Sequence, residues 1–172
     1  YRPCDIIETA ECWASSLETS STPSVLSLSR QGLPCLRNEH TNENLSSKGG
    51  YVLTEIEAKR DVTLIASGSE VSIAIEACDQ LKTEGVYAAV VSMPCLEKFE
   101  EQSQDYRDKV IPLETPIVVA EAAIEQSWGK YLGRNGKFVG MSTFGASAPG
   151  NELYIHFGIT TQNVVNAAKD IV

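Results

Sequence analysis

Along residues 51–172, short unbroken apolar runs alternate with longer stretches in which apolar residues recur every three or four positions. The short runs are typical of strands buried on both faces, and the wider spacing is typical of helices with one buried face. The pattern predicts strands at residues 51–53, 62–66, 88–92, 116–120 and 138–141. It predicts helices at residues 70–84, 96–110, 124–132 and 162–172, and a helical turn at residues 153–158.

Strands with unbroken apolar runs need cover on both faces, which favours a mostly parallel sheet between two layers of helices. Right-handed crossovers between parallel strands place helices on both sides of such a sheet. For residues 51–172 the sequence therefore predicts an α/β fold of the three-layer α/β/α sandwich class.

The first part of the chain follows a different pattern. Trp13 and Leu17 belong to a series of apolar residues at helical spacing, which predicts a helix over residues 5–20 with Asp5 as its cap. Residues 24–29 alternate polar and apolar, which predicts a strand. One helix and one strand cannot bury their own apolar faces. We therefore expect residues 1–36 to be the C-terminal end of another α/β domain, and the Asn-, Ser- and Gly-rich residues 37–50 to be a linker.

Composition limits the classes of partner. Hydrophobic residues make up 42% of the chain, enough for a buried core, and the formal net charge is -9. The Lys and Arg residues are scattered, which disfavours nucleic acid and anionic membrane as partners. No run approaches the roughly 20 apolar residues that cross a bilayer, and the first residues lack a signal-peptide pattern. We expect a cytoplasmic protein.

Cysteine and histidine positions do not indicate a metal site. The five cysteines include no C-x-x-C pair, and the two histidines, His40 and His156, lie far apart. Cys78 falls on the apolar face of a predicted helix, where a thiol acts as a small hydrophobic group. Lone histidines without a neighbouring nucleophile are more often packing or surface residues than general bases.

Two loops could approach a ligand. The turn at residues 67–70 joins a strand to a helix, where backbone N–H groups could bind phosphate. It lacks the further glycines and the lysine of phosphate-binding motifs, and Glu70 already supplies negative charge, so a helix cap is the favoured interpretation. The Gly-, Ala- and Ser-rich loop at residues 140–150 could contact a ligand or pack against a partner subunit, and both interpretations stay open.

Arg30 is the candidate binding residue. It follows the predicted strand at residues 24–29, at the carboxyl end, where α/β sheets place their ligands. A guanidinium at this position can bind a phosphate group through two parallel N–H···O bonds. Taken alone, a surface arginine is the simpler interpretation.

Several ordered segments together resemble transketolase. Each is weak alone, but the set covers nearly the whole chain in the order expected of that family. The segments include Arg2-Pro3-Cys4-Asp5, Leu28-Ser29-Arg30-Gln31-Gly32-Leu33-Pro34, Lys48-Gly49-Gly50-Tyr51, Ser67-Gly68-Ser69-Glu70, Ser92-Met93-Pro94 and Thr143-Phe144-Gly145-Ala146-Ser147-Ala148-Pro149.

The resemblance implies a transferase of the pentose phosphate pathway that moves a two-carbon ketol unit between sugar phosphates. It implies thiamine diphosphate and Mg²⁺ (or Ca²⁺) in the full-length enzyme, neither held by this chain, and a homodimer. Residues 1–36 would end the pyrimidine-binding domain, and residues 51–172 would be the C-terminal domain. Arg30 falls on the family's substrate-phosphate arginine, and no catalytic, cofactor-binding or metal-binding residue carries over.

Since the N-terminal and pyrimidine-binding domains are needed for the chemistry, we expect the 172 residues alone to be inactive. The alternative is a separately encoded, non-catalytic subunit or binding module that docks on partner thiamine-enzyme chains. Related thiamine enzymes share this C-terminal fold, but the runs at residues 29–34 and 143–149 favour transketolase.

Overall fold

A five-stranded sheet forms the centre of the computed structural model, which describes residues 1–172. The strands are β1 (Tyr51–Thr54), β2 (Val62–Ala66), β3 (Ala88–Ser92), β4 (Ile117–Ile124) and β5 (Lys137–Met141). Their spatial order is β1-β3-β2-β4-β5. β1 is antiparallel to β3, and every other pairing is parallel. The predicted mostly parallel α/β sheet is confirmed.

Seven α-helices accompany the sheet. They are α1 (Ile6–Glu18), α2 (Glu70–Thr83), α3 (Leu96–Glu100), α4 (Gln104–Val110), α5 (Gly129–Leu132), α6 (Gly150–Phe157) and α7 (Thr161–Lys169). None of them is long and apolar enough to cross a membrane.

Two apolar clusters lie on opposite faces of the sheet. Every residue of β2 is buried, and its side chains alternate between the clusters. Leu64 packs in the cluster that contains the buried residues of α2 and α7. Ile65 packs in the cluster that contains residues of α3, α4 and α5, such as Phe99. Helices therefore cover both faces, which gives the expected three layers.

Two predicted helices are wrong in detail. Residues 96–110 form α3 and α4 rather than one helix, because Ser103 starts a new helix by accepting a hydrogen bond from the Tyr106 N–H at 3.3 Å. Residues 124–132 contain only a 3₁₀ turn and the short α5. β4 runs on to Ile124 because its end pairs with β5, Ile124 opposite Met141.

The N-terminal helix is confirmed, but the strand predicted after it is wrong. Asp5 caps α1 by accepting a hydrogen bond from the Glu8 N–H at 2.8 Å. Residues 24–29 are extended but belong to no sheet. Only Tyr1 pairs with them: its amino group donates to the Val25 carbonyl at 2.7 Å, and its carbonyl accepts from the Ser27 N–H at 2.8 Å. Alternation alone cannot supply the neighbouring strands that a sheet requires.

The segment predicted as a linker is held against α1. It contains a 3₁₀ turn at Leu45–Lys48. The backbone N–H and the hydroxyl of Ser46 donate to the Glu11 carboxylate at 3.0 and 2.7 Å, and the Asn44 amide donates to the Glu11 carbonyl at 3.0 Å. These bonds join residues 37–50 to the first helix of the chain.

Candidate functional site

A cavity of about 610 Å³ opens at the carboxyl end of the sheet, and we refer to it as the Arg30 cavity. Its lining includes Arg2, residues 29–31, the start of α2 and the loop between β5 and α6. Arg30 is exposed to solvent and forms no ion pair. The predicted site residue therefore lies at a cavity with its guanidinium available to a ligand.

Glu70, the first residue of α2, is a fully buried carboxylate in the wall of this cavity. Arg2 donates to it at 2.9 Å, the Tyr154 hydroxyl donates at 2.7 Å, and the Ser69 hydroxyl donates at 3.2 Å. Burial, with the neighbouring Glu70 charge, raises the pKa of Tyr154, so its hydroxyl stays protonated and remains a donor.

Arg2 also contacts a second buried carboxylate. Its guanidinium forms an ion pair with Glu121 and donates to the Ser67 hydroxyl at 3.0 Å. Ser67 in turn donates to Glu121 at 2.7 Å. One guanidinium thus satisfies two carboxylates that would be costly to bury alone.

These contacts change the interpretation of the turn at residues 67–70. Ser69 is the N-cap residue of α2, as expected of a helix cap, but its side chain makes no capping bond to the helix. The sequence alone does not indicate that Arg2 and Glu70 are partners. One feature of the sequence could have indicated the contact: Glu70 is an acidic residue at a turn between two buried elements. A buried carboxylate requires a hydrogen-bond donor, which here had to come from elsewhere in the chain.

The loop at residues 140–150 forms part of the cavity wall through Gly145, Ala146 and Ala148. A glycine is required at its start, because a Cβ at Gly140 would lie 2.2 Å from the Phe138 ring. Phe144 is 97% exposed on this loop. Both earlier interpretations, ligand contact and subunit contact, stay open.

A second cavity, of about 530 Å³, lies at the opposite end of the sheet. Glu100 in its lining pairs with Arg107 at 3.1 Å and Lys130 at 2.9 Å, and it accepts a hydrogen bond from the Tyr131 hydroxyl. Burial acts to raise the pKa of Glu100, but these donors outweigh it and lower the pKa. The remaining lining mixes both signs of charge and indicates no ligand class.

No histidine or cysteine lines the Arg30 cavity. His40 bonds to Asn42 in the segment before β1, and the exposed His156 packs edge-on against Phe157. Cys78 is buried on α2, as predicted. Burial raises the pKa of Cys78, and raises the pKa of Cys12 to about 12, which leaves neither thiol reactive near neutral pH.

Together these features define an α/β domain with a partly cationic cavity at the carboxyl edge of its sheet. The family model for the transketolase-like C-terminal domain matches residues 49–160. The chain belongs to the transketolase C-terminal domain family.

Similar proteins cover the chain from end to end. It is 54% identical over 172 residues to a transketolase of Sinorhizobium medicae, covering 99% of this chain and 25% of that protein. A solved transketolase from Leishmania mexicana superimposes with a TM-score of 0.88 at 40% identity, covering 99% of this chain and 24% of that one. A solved transketolase variant of Pichia stipitis in complex with fructose-6-phosphate superimposes with a TM-score of 0.90 at 36% identity, covering 99% of this chain and 24% of that one. The chain thus spans about a quarter of the length of these relatives.

The residues present do not fit a metal–diphosphate centre. No group of three or more His, Cys, Asp and Glu side chains in the chain is arranged to hold a metal ion. The buried carboxylates near the Arg30 cavity, Glu70 and Glu121, are both paired with Arg2.

Proposed function

We propose that residues 1–172 are the C-terminal region of a thiamine-diphosphate-dependent transketolase, and that Arg30 binds the phosphate group of its sugar-phosphate substrates. The reaction would be transfer of a two-carbon ketol unit from one sugar phosphate to another. Support comes from the relatives, which are named transketolases, and from the fructose-6-phosphate complex of the Pichia stipitis protein.

The observation that carries the proposal is the exposed guanidinium of Arg30, without an ion pair, at a cavity of about 610 Å³. The planar guanidinium matches the geometry of a phosphate group and can donate two parallel hydrogen bonds to it. A substrate held by its phosphate keeps its other end in a narrow range of positions, which lowers the entropic cost of reaction. Arg30 would therefore bind and orient the substrate without taking part in bond making.

The proposal assigns thiamine diphosphate and its Mg²⁺ (or Ca²⁺) to parts of the enzyme outside residues 1–172, since the residues here do not fit them. The exposed apolar side of α1 supports packing against such parts. Ile6 is 75% exposed and Leu17 is 77% exposed, with Trp13 on the same helix also exposed. The missing domains of the same enzyme, and a second subunit of a homodimer, are the proposed partners.

Substitution of Arg30 in the full-length enzyme tests the proposal. We expect Arg30→Ala to lower kcat/KM for fructose-6-phosphate by about 10- to 100-fold through a higher KM, because a charge-assisted phosphate contact contributes roughly 1.5–3 kcal/mol. An unphosphorylated ketose should be affected far less. Arg134→Ala is the matched control, since Arg134 is also exposed but lines the opposite cavity. Equal losses with both substrate types would reject the role of Arg30.

A second measurement concerns the chain by itself. Purified residues 1–172, supplied with thiamine diphosphate and Mg²⁺, should show no ketol transfer. Measurable turnover would contradict the proposal that the catalytic groups lie in other domains. A non-catalytic docking subunit, the alternative function, would instead require activity to appear when a separate thiamine-enzyme chain is added.

A further inference from the structure

Two separate parts of the chain form facing walls of the Arg30 cavity, and the carboxylate of Glu70 binds both. One wall is the N-terminal segment with residues 29–31, and the other is α6 with the loop before it. Arg2 in the first wall reaches Glu70 at 2.9 Å, and Tyr154 in the second reaches it at 2.7 Å. Glu70 is fully buried, and both contacts are partly buried, which strengthens them relative to contacts in open solvent.

In the first wall, backbone hydrogen bonds of Tyr1 and Arg2 hold the segment that leads to Arg30. The Arg2 backbone is fixed by its N–H to the Pro94 carbonyl at 2.7 Å and by its carbonyl to the Gly68 N–H at 2.9 Å. Tyr1, the residue before it, is the one that pairs with Val25 and Ser27. The segment that ends at Arg30, predicted as a strand, is thus held by hydrogen bonds to Tyr1, the residue next to Arg2.

The second wall meets the Arg30 loop directly. Gly150 begins α6, and a Cβ at that position would lie 3.3 Å from the side-chain amide of Gln31. Tyr154, one turn later on α6, ends at Glu70. The residue after Arg30 therefore rests on the helix whose position the Tyr154–Glu70 bond holds.

We propose that Glu70 is a positioning residue: by binding Arg2 and Tyr154 together it sets the separation of the cavity walls, and so places the Arg30 guanidinium for a substrate phosphate. The inference rests on the proposed function of Arg30 and adds a residue that touches no substrate. Loosening either contact widens the range of Arg30 positions. A phosphorylated substrate then binds more weakly, while an unphosphorylated one is unaffected because it does not use that contact.

Conservative variants of the full-length enzyme test this role. Tyr154→Phe removes one hydroxyl and keeps the ring, and Glu70→Gln keeps the shape and removes the charge. For each we expect KM for fructose-6-phosphate to rise about fivefold, less than for Arg30→Ala because the phosphate contact itself is kept, with kcat and the KM of an unphosphorylated ketose unchanged. Should Glu70→Gln not fold, Tyr154→Phe alone carries the test.

Glu121→Gln is the matched control. Like Glu70→Gln, it neutralises a carboxylate that pairs with the Arg2 guanidinium. Glu121, however, lines a separate cavity of about 230 Å³ and not the Arg30 cavity. This variant should leave the ratio of the two KM values unchanged. A shift as large as that of Glu70→Gln would overturn the inference, because general loosening around Arg2 would then explain both.

The double variant Arg30→Ala/Tyr154→Phe separates the inference from the proposed function. If Tyr154 acts through Arg30, adding Tyr154→Phe to Arg30→Ala should raise KM for fructose-6-phosphate no further. A full additional fivefold rise would overturn the positioning role while a selective Arg30→Ala effect still supports the phosphate contact. Loss of selectivity in Arg30→Ala itself would overturn both.

Discussion

The Glu8 carboxylate accepts a hydrogen bond from the Tyr51 hydroxyl at 2.7 Å, although the two residues lie 43 positions apart. The same carboxylate accepts from the Ser92 hydroxyl at 2.5 Å and from the Cys4 N–H at 2.7 Å. Glu8 is on α1, Tyr51 on β1 and Ser92 on β3. Through this buried acid the first helix is joined to the edge of the sheet.

Loss of the Tyr51 hydroxyl should destabilise the protein. Tyr51→Phe leaves the fully buried Glu8 with one donor fewer, and we expect the free energy of unfolding to fall by about 1–3 kcal/mol. Urea denaturation of the purified protein measures it. Tyr87→Phe is the control, because Tyr87 is 42% exposed and its hydroxyl makes no hydrogen bond within the chain. A change for Tyr51→Phe no larger than that of Tyr87→Phe would contradict the assigned contact.

Two glycines with the same backbone conformation should respond differently to alanine. Gly49 and Gly85 have φ of 80° and 81°, so both variants carry a strain of about 1 kcal/mol. A Cβ at Gly49 would also lie 2.2 Å from the Phe99 nitrogen, whereas at Gly85 it meets nothing within 4 Å. Gly49→Ala should therefore lower the midpoint of urea unfolding several times more than Gly85→Ala. Similar midpoints for the two variants would show that the segment before β1 packs more loosely than the structure has it.

The Glu11–Arg37 pair should make stability depend on acid pH. Burial acts to raise the pKa of Glu11, but Arg37 and the donors of Ser46 outweigh it and lower the pKa. The carboxylate and guanidinium approach to 2.9 Å as an ion pair, without the alignment of a hydrogen bond. A carboxyl with a lowered folded-state pKa stabilises the protein above its unfolded pKa, about 4.3, and loses that contribution as pH falls through the folded value.

We therefore expect Glu11→Gln to cost about 1 kcal/mol of unfolding free energy at pH 7 and progressively less below about pH 4. Unfolding curves recorded between neutral and acid pH measure the difference. Glu18→Gln is the control, at the exposed end of the same helix. Its unfolding free energy should differ from that of the unchanged protein by an amount that does not depend on pH in this range. A cost for Glu11→Gln that stays constant across this range would exclude a stabilising charge at Glu11.

Thiol labelling should distinguish Cys35 from the other cysteines. All five are free, and four of them, Cys4, Cys12, Cys78 and Cys95, are buried. Burial raises the pKa of each of those four thiols, so at pH 8 both access and thiolate fraction are low. Brief alkylation of the native protein followed by peptide mapping should find Cys35 modified first. Equal early modification of Cys78 would show that α2 opens readily.

The elements that the sequence located well are those whose burial follows a local period. β2 and β3 agree with the predicted residues 62–66 and 88–92, because a strand covered on both faces must be apolar throughout. The starts of α1 and α2 were also predicted, because their start signals are local: Asp5 caps α1, and the acidic Glu70 opens α2. Boundaries were wrong at Ser103 and Ile124, where a single hydrogen bond or a strand pairing decides where an element ends.

By itself, the sequence determined the sheet class, the order of its elements and Arg30 as the residue to examine, because periodicity and motif order are properties of neighbours along the chain. Only the tertiary structure decided that residues 24–29 pair with Tyr1 and join no strand of the five-stranded sheet, and that residues 37–50 lie on α1. It also decided that Glu70 meets Arg2 and Tyr154, 68 and 84 positions away. A buried charge must find its partner in space, and nothing in its local sequence specifies which distant residue that will be.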